Sequence, residues 1–223
     1  MDLFPLWNSL RIGAISSVIV FFLGIAASYY IAKLPKIIKG IIDVILTLPL
    51  VLPPTVVGYI LLCALGPDFF IGKWLYSLFE IKLVMQWWSA IFAVVVVTFP
   101  LMYRTARGAF ESFDETLSQA GQTLGLSNAY IFWKIKMPYC KQGIIAGFVL
   151  SFARAIGEFG ATSMVAGYTP GETVTVSTEV YQLWKIGNNE LAFKWVMINI
   201  LISTVVLLAV NMMEQKNRSK VRG

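Results

Sequence analysis

The sequence has no histidine, only two cysteines and few charged residues, which make up 13% of its 223 positions. Cys63 and Cys140 each lie inside or beside an apolar block, so neither a disulfide framework nor a zinc site can be assembled. A Gly-x-x-x-x-Gly-Lys-Ser/Thr loop is also missing, which excludes ATP hydrolysis by the usual P-loop route. We therefore expect no catalytic, cofactor-binding or metal-binding residue, and no enzyme activity of the chain's own.

Apolar surface is abundant instead, because 57% of the residues are hydrophobic. A water-exposed globule of this length could not bury that much apolar surface. The formal net charge is +6, but the basic residues lie between apolar blocks and form no stripe that could face a nucleic acid. The composition therefore predicts a multi-pass protein of the plasma (inner) membrane.

Five apolar blocks approach the roughly 20 residues that a helix needs to cross a bilayer. The first is longer than a signal-peptide core and is therefore interpreted as an uncleaved span. The predicted spans are residues 12–32, 40–65, 88–103, 143–166 and 195–213. The sequence thus predicts an all-α polytopic membrane protein that forms a single domain, 1–223.

Lysine and arginine follow the first span, the third span and the last span, so these three regions should share one side of the membrane. By the positive-inside rule that side is the cytoplasm, which places the N-terminus outside and the C-terminus inside. The loop 111–138 is then cytoplasmic, and residues 69–85 are predicted to lie at the outer interface. Asp43, near the cytoplasmic start of the second span, is interpreted as an interfacial residue.

Three prolines interrupt the second span, at Pro49, Pro53 and Pro54, and Thr55 follows them. Each proline removes a backbone donor and obstructs a carbonyl one turn earlier, so the span must be broken or kinked. Free carbonyls in a bilayer need protein or water around them, which favours a position on a translocation path. The alternative is a kink that only helps helices to pack.

Arg154 and Glu158 lie four residues apart in the fourth span and can pair on one helical face. One charge near the bilayer centre costs about 2.5 to 3.5 kcal/mol on insertion scales, so both should avoid lipid. We expect them, with Gly160, at the path or its gate. A structural ion pair between helices is the alternative.

The loop 111–138 reads as a short helix ended by Gly125, a turn capped by Ser127 or Asn128, and a second amphipathic helix before Pro138. Its apolar residues would face water and need a partner surface, which indicates docking in a groove of another protein. These residues are Ala120, Leu124, Leu126, Ile131, Phe132 and Ile135.

The spacing of this loop resembles the EAA loop of ABC-importer permeases, since Ala120, Gly125, Ile135 and Pro138 stand at the family's offsets. The sequence departs from that pattern with Gln119 for Glu, Gly121 for Ala and Met137 for Leu. The resemblance implies that the loop forms a coupling helix in a cleft of an ATPase subunit. The implied ATPase-coupling residues are Gln119, Ala120, Gly121, Leu124, Gly125, Ile135, Met137 and Pro138.

Further segments between Pro49 and Thr173 look like the molybdate branch of these permeases, among them residues 48–59, 99–102, 152–161 and 170–173. The resemblance implies a type I importer permease fold and a homodimer. It also implies two ATPase subunits that bind ATP and Mg, and an external binding protein that delivers molybdate, with tungstate as a second candidate. The expected binding-protein contacts are Pro170, Gly171, Glu172, Thr173 and Tyr181.

Three alternatives stay open at this point. A permease for sulfate or thiosulfate would share the loop and the fold. An ion-coupled secondary transporter is disfavoured, because the spans contain few carboxylates besides Glu158. A non-transporting scaffold would use the loop for binding only. Because Glu158 already neutralises Arg154, we also expect no high-affinity oxyanion site in the path.

Overall fold

The structure, a computed structural model, describes residues 2–67 and 69–222. The side chains of the basic tail, Lys216, Arg218, Lys220 and Arg222, lie outside the described part. The helices are α1 (Phe4–Ile31), α2 (Lys36–Val51), α3 (Pro54–Leu65), α4 (Phe70–Phe79), α5 (Ser89–Glu111), α6 (Glu115–Thr123), α7 (Asn128–Ile131), α8 (Met137–Ile156), α9 (Gly160–Val165), α10 (Val176–Lys185) and α11 (Asn189–Arg222).

The centre of the bundle is formed by α1, α5 and α8, which pack on one another. Small residues on α1 allow this close approach, as is usual where no hydrophobic force drives helices together in lipid. At Gly24, a Cβ atom would lie only 2.5 Å from Cγ of Met102 on α5. Val20, Met102 and Ile144 then form part of one buried apolar cluster that joins the three helices.

Length and composition identify three helices of the described chain as able to cross a membrane: α1, α5 and the 189–208 part of α11. The α2 and α3 pair counts as a fourth if it is one span, although its two helices are bent by 113°. The predicted break of the second span is thus confirmed. Leu52 is extended, Pro53 precedes α3, and Pro54 occupies the first turn of α3.

The fourth predicted span differs from expectation, because α8 ends at Ile156 and α9 begins only at Gly160. Alone, α8 is not among the helices that length and composition identify as membrane-crossing. It contains Lys141 and Arg154, and it packs against both α1 and α5. A helix surrounded by protein needs less apolar surface than one that faces lipid.

One helical rod runs from the loop 111–138 into the bundle. Helix α7, a π-helical turn (Phe132–Lys136) and α8 follow one another without a gap. Pro138 lies in the first turn of α8. The sequence places Pro138 after the second amphipathic helix, at the opening of the next element, and α8 does begin there, although no gap separates it from the π-helical turn.

Candidate functional site

Helix α6 in the loop 111–138 is held by a defined start and a close packing contact. Asp114 caps its N-terminus by accepting a hydrogen bond from the N–H of Thr116. Gly121 is buried, and a Cβ there would lie 3.1 Å from Cγ1 of Ile131. The glycine that departs from the EAA pattern therefore lets α6 lie directly on α7.

The C-terminus of α6 requires a glycine. Gly125 has a φ of +75°, in the left-handed region that glycine adopts without strain. Its N–H donates to the carbonyl of Gln122, and the N–H of Leu126 donates to the carbonyl of Gly121. This pair of bonds is a Schellman motif, and Ser127 caps the next helix by accepting from Tyr130 N–H. The predicted helix, turn and cap are thus confirmed.

The predicted ATPase-coupling residues divide into exposed and packed groups. Leu124 is 79% exposed, and Gln119, Ala120, Gly125 and Pro138 are also exposed. Ile135 and Met137 are partly buried against the apolar core, and Gly121 is buried. Their roles toward a partner stay a prediction.

The expectation that Ile131, Phe132 and Ile135 need a partner surface is wrong. Ile131 is buried, while Phe132 and Ile135 pack on the chain's own core. The large apolar side chains of the loop that are exposed besides Leu124 are Leu117, Tyr130 and Trp133, of which Tyr130 and Trp133 are 50% and 64% exposed. Helical spacing alone could not tell which face of the second helix meets α5.

An ion pair ties α6 to the π-helical turn. The ammonium group of Lys136 bonds to the carboxylate of Glu115, at the first residue of α6. This hydrogen bond lowers the pKa of Glu115 below its ordinary value. The position of α6 relative to the rod therefore depends on two opposite charges as well as on the Gly121 contact.

Three of the predicted path residues, Pro54, Thr55 and Gly160, meet where the start of α3 packs on α9. A Cβ at Gly160 would lie 3.0 Å from both Cβ of Pro54 and the backbone N of Thr55. A Cβ at Gly58 would lie 2.7 Å from Cα of Ala161. The start of α3 thus packs directly on α9, while Pro49 lies inside α2, one turn before the break.

Glu158 lies in the non-helical stretch between α8 and α9. Its side chain is 1% exposed, and its Oε2 lies 2.6 Å from Nη2 of Arg154, whose side chain is 35% exposed. Its other oxygen, Oε1, accepts a 2.8 Å hydrogen bond from the N–H of Ala161. The carboxylate therefore stabilises the break in the helix, and the role of both residues in a path or gate stays a prediction.

The segment expected to contact a binding protein is only partly exposed. Pro170, Gly171 and Glu172 are exposed, whereas Thr173 is fully buried. The Thr173 hydroxyl accepts from the N–H of Thr169 and so holds the loop together. The expected contact by Thr173 is therefore not supported. Tyr181 lies apart from these residues and lines a cavity of about 320 Å³ together with Thr55.

A charged network between α2 and α5 was not expected from the sequence. Arg107 pairs with Asp43 and donates from Nε to Glu111 at 2.9 Å. Lys39 lies 2.5 Å from the same Glu111 oxygen, and the hydroxyl of the buried Tyr103 donates to Asp43. Asp43 is thus a helix-to-helix partner, and its position at the membrane interface stays a prediction. The four-residue spacing of Arg107 and Glu111 was the available signal in the sequence.

The described chain combines membrane-crossing helices, a bent helix pair and a helix, α6, that is held by the Gly121 contact and the Lys136–Glu115 ion pair. The chain matches the family described as "Binding-protein-dependent transport system inner membrane component" over residues 21–219. It belongs to that family and is a multi-pass membrane protein.

Curated relatives cover most of the chain. The molybdenum transport system permease protein ModB of Escherichia coli (strain K12) is 39% identical over 92% of this chain and 91% of its own. ModB of Haemophilus influenzae is 39% identical over 82% of this chain and 80% of its own. The sulfate transport system permease protein CysW of Synechocystis is 29% identical over 86% of this chain and 70% of its own.

Solved structures show the same fold. A bacterial alginate ABC transporter, in complex with an alginate pentasaccharide-bound periplasmic protein, aligns with a TM-score of 0.78 at 18% identity. That alignment covers 96% of this chain and 78% of the other. The MetNI methionine ABC transporter aligns with a TM-score of 0.72 at 14% identity over 95% of this chain and 94% of the other. The predicted type I ABC-importer permease fold is confirmed.

Proposed function

We propose that this chain is the membrane-spanning subunit of an ATP-driven importer that passes molybdate into the cytoplasm by alternating access, with tungstate as a second substrate. The observation that carries this proposal is the 39% identity to the molybdenum permeases of Escherichia coli and Haemophilus influenzae, compared with 29% to the sulfate permease of Synechocystis. The chain has no catalytic role of its own. It binds no cofactor, and ATP and Mg belong to the partner ATPase.

The proposed assembly contains two copies of this chain, two ATPase subunits and an external molybdate-binding protein. Helix α6 supports the ATPase contact, because Leu124, the residue that follows it, is exposed and the helix is held by the contact of Gly121 with Ile131. The proposed orientation has the N-terminus outside and the C-terminus in the cytoplasm. Lys33, Lys36 and Lys39, which follow α1, support that orientation.

In the proposed cycle, closure of the ATPases moves α6 as a rigid body. The contacts of Gly121 and Lys136 pass this displacement to the rod formed by α7, the π-helical turn and α8. The rod ends beside Glu158, where α9 packs on the start of α3. Two broken helix pairs would then change their relative position around the substrate.

The experiment that tests this function is uptake of labelled molybdate by cells with and without the chain. The two arms use a live and a hydrolysis-dead ATPase partner, each with excess tungstate or sulfate. We expect uptake that needs both the chain and the live ATPase, and that tungstate but not sulfate suppresses. Suppression by sulfate would favour the sulfate permease class, and uptake that ignores the ATPase state would overturn the importer.

A further inference from the structure

A cavity of about 320 Å³ opens where three elements meet, at the start of α3, at α9 and along α10. Its volume is at the lower end of the range of about 300 to 1,000 Å³ that is usual for small-molecule sites. The residues that line it are Thr55, Phe159, Ser163, Gly167, Tyr168, Thr178, Tyr181 and Gln182. Most of them carry a hydroxyl or an amide, and none is ionised at neutral pH, although the surface that they turn to the cavity is mainly apolar.

Three of the polar side chains that line the cavity already donate elsewhere. The Ser163 hydroxyl donates to the carbonyl of Gly160, at 3.0 Å. The Thr178 hydroxyl donates to the carbonyl of Thr175, at 3.0 Å, and the Tyr168 hydroxyl donates to a Glu179 oxygen at 2.8 Å. These three hydroxyl groups donate within the protein, so they are not available as donors to a molecule in the cavity.

Thr55, Tyr181 and Gln182 differ from those three side chains. Among the side chains that the structure describes, their hydroxyl and amide donors find no hydrogen-bond partner, and Thr55 and Tyr181 are exposed. The ring of Tyr181 is placed by Phe159, since the two centroids are 5.1 Å apart. Three uncommitted donors from α3 and α10 therefore line one cavity next to the α8–α9 break.

We propose that Thr55, Tyr181 and Gln182 form a transit site for a tetrahedral oxyanion, which they hold through neutral hydroxyl and amide donors. The inference rests on the proposed function and assigns Tyr181 to the path instead of to the binding-protein contact.

The cavity is better suited to letting an oxyanion pass than to retaining it. A hydrogen bond to a charged acceptor is stronger than one between neutral groups, so the three donors can replace part of an anion's hydration. No lysine or arginine lines the cavity, so no fixed cation holds the anion there. The nearby Glu158 carboxylate is paired with Arg154 and bonded to Ala161, which limits its repulsion of an anion. A permeating ion needs a site that it can both enter and leave.

The test uses the complete complex in proteoliposomes, with molybdate-loaded binding protein outside and ATP at the ATPase side. Labelled molybdate uptake and ATP hydrolysis are measured together for wild type, Thr55→Val, and the double variant Tyr181→Phe with Gln182→Leu. Tyr76→Phe on α4 is the matched control, because it removes a hydroxyl that does not line the cavity.

We expect molybdate transported per ATP to fall at least about tenfold in Thr55→Val, which removes one hydrogen bond to a charged group, and further in the double variant, which removes two. ATP hydrolysis stimulated by loaded binding protein should persist, which also shows that the variant is folded. If the molybdate transported per ATP stayed the same, whether or not uptake and hydrolysis fell together, the transit site would be overturned. The importer function would still stand. A wild-type complex that imports no oxyanion would overturn both proposals before any variant is made.

Discussion

Arg107 on α5 forms an ion pair with Asp43 on α2, and this contact joins the helix that leads into α6 to the helix that precedes the proline break. Tyr103 and Glu111 extend the contact along one side of α5. The pair is only about one-fifth exposed on each side, so water screens it less than a surface pair.

Replacing Asp43 with Ala should destabilise the protein by about 1.5 to 3 kcal/mol, the usual value for a hydrogen bond to a charged group. Thermal unfolding of the purified complex in detergent measures the effect. Glu190→Ala is the matched control, because its pair with Lys194 is largely exposed and worth less than about 1 kcal/mol. If Asp43→Ala and Glu190→Ala lowered the unfolding temperature equally, the Asp43 contact would contribute no more to stability than an exposed ion pair.

Replacing Gly58 with Ala should weaken the packing of α3 on α9. The added Cβ would meet backbone 2.7 Å away, and backbone cannot rotate aside. Overpacking of this kind costs about 1 to 3 kcal/mol. The measurement is the unfolding temperature together with molybdate uptake.

Gly40→Ala is the control for this prediction, because nothing lies within 4 Å of a Cβ at Gly40 on α2. That substitution should be neutral or stabilising by up to about 1 kcal/mol, since alanine favours a helix more than glycine does. If Gly58→Ala and Gly40→Ala had the same effect on the unfolding temperature and on molybdate uptake, the result would contradict a close approach of α3 to α9.

Replacing Gly125 with Val should abolish uptake while the protein stays in the membrane. A branched side chain at a φ of +75° costs about 1 to 2 kcal/mol and should unwind the end of α6. Gly125→Asn should retain more uptake, because asparagine tolerates the left-handed region. Uptake is compared at equal membrane levels by immunoblot, and equal activity of the Val and Asn variants would contradict the backbone explanation.

Acidification should loosen α6. Lys136 lowers the pKa of Glu115 below its ordinary 4.5, so the pair stabilises the fold fully above that value and is lost as the pH falls through the lowered pKa. Hydrogen exchange of the α6 amides at pH 7 and pH 4, corrected for intrinsic rates, measures this change.

Glu115→Gln should remove most of the pH response of α6 and leave exchange faster than in wild type at pH 7. Asp114, whose pKa is also lowered through its bond to Thr116, stays present in both proteins and so cancels in the comparison. An identical pH response with and without Glu115 would show that another group controls α6.

The parts of the fold that local chemistry determines could be predicted from the sequence. Gly125 ends a helix and Ser127 starts one because of backbone preferences that need no tertiary contact. Pro53 likewise breaks its span by removing a donor and blocking a turn. Such residues determine the backbone conformation of their neighbours in the sequence, so the helix ends that they set do not depend on how the helices pack.

The parts that depend on helix packing could not be predicted in the same way. Whether Ile131 meets water or α6 is decided by the rotation of α7, and Asp43 finds Arg107 only after α2 has docked on α5. Thr173 stood in a polar loop that looked accessible, but its hydroxyl closes that loop from inside. Spacing places a residue on a face and does not say what covers that face.

The uninterrupted rod from Asn128 to Ile156 has a mechanical consequence. At helical rise it is roughly 40 Å long, and a helix of that length resists compression along its axis. A push on one end must therefore appear at the other as a tilt or a shift, since no loop in between can absorb it. The first break in helical structure beyond the rod is the stretch from Gly157 to Phe159, which contains Glu158, so that stretch is the place where such a displacement would pass to α9.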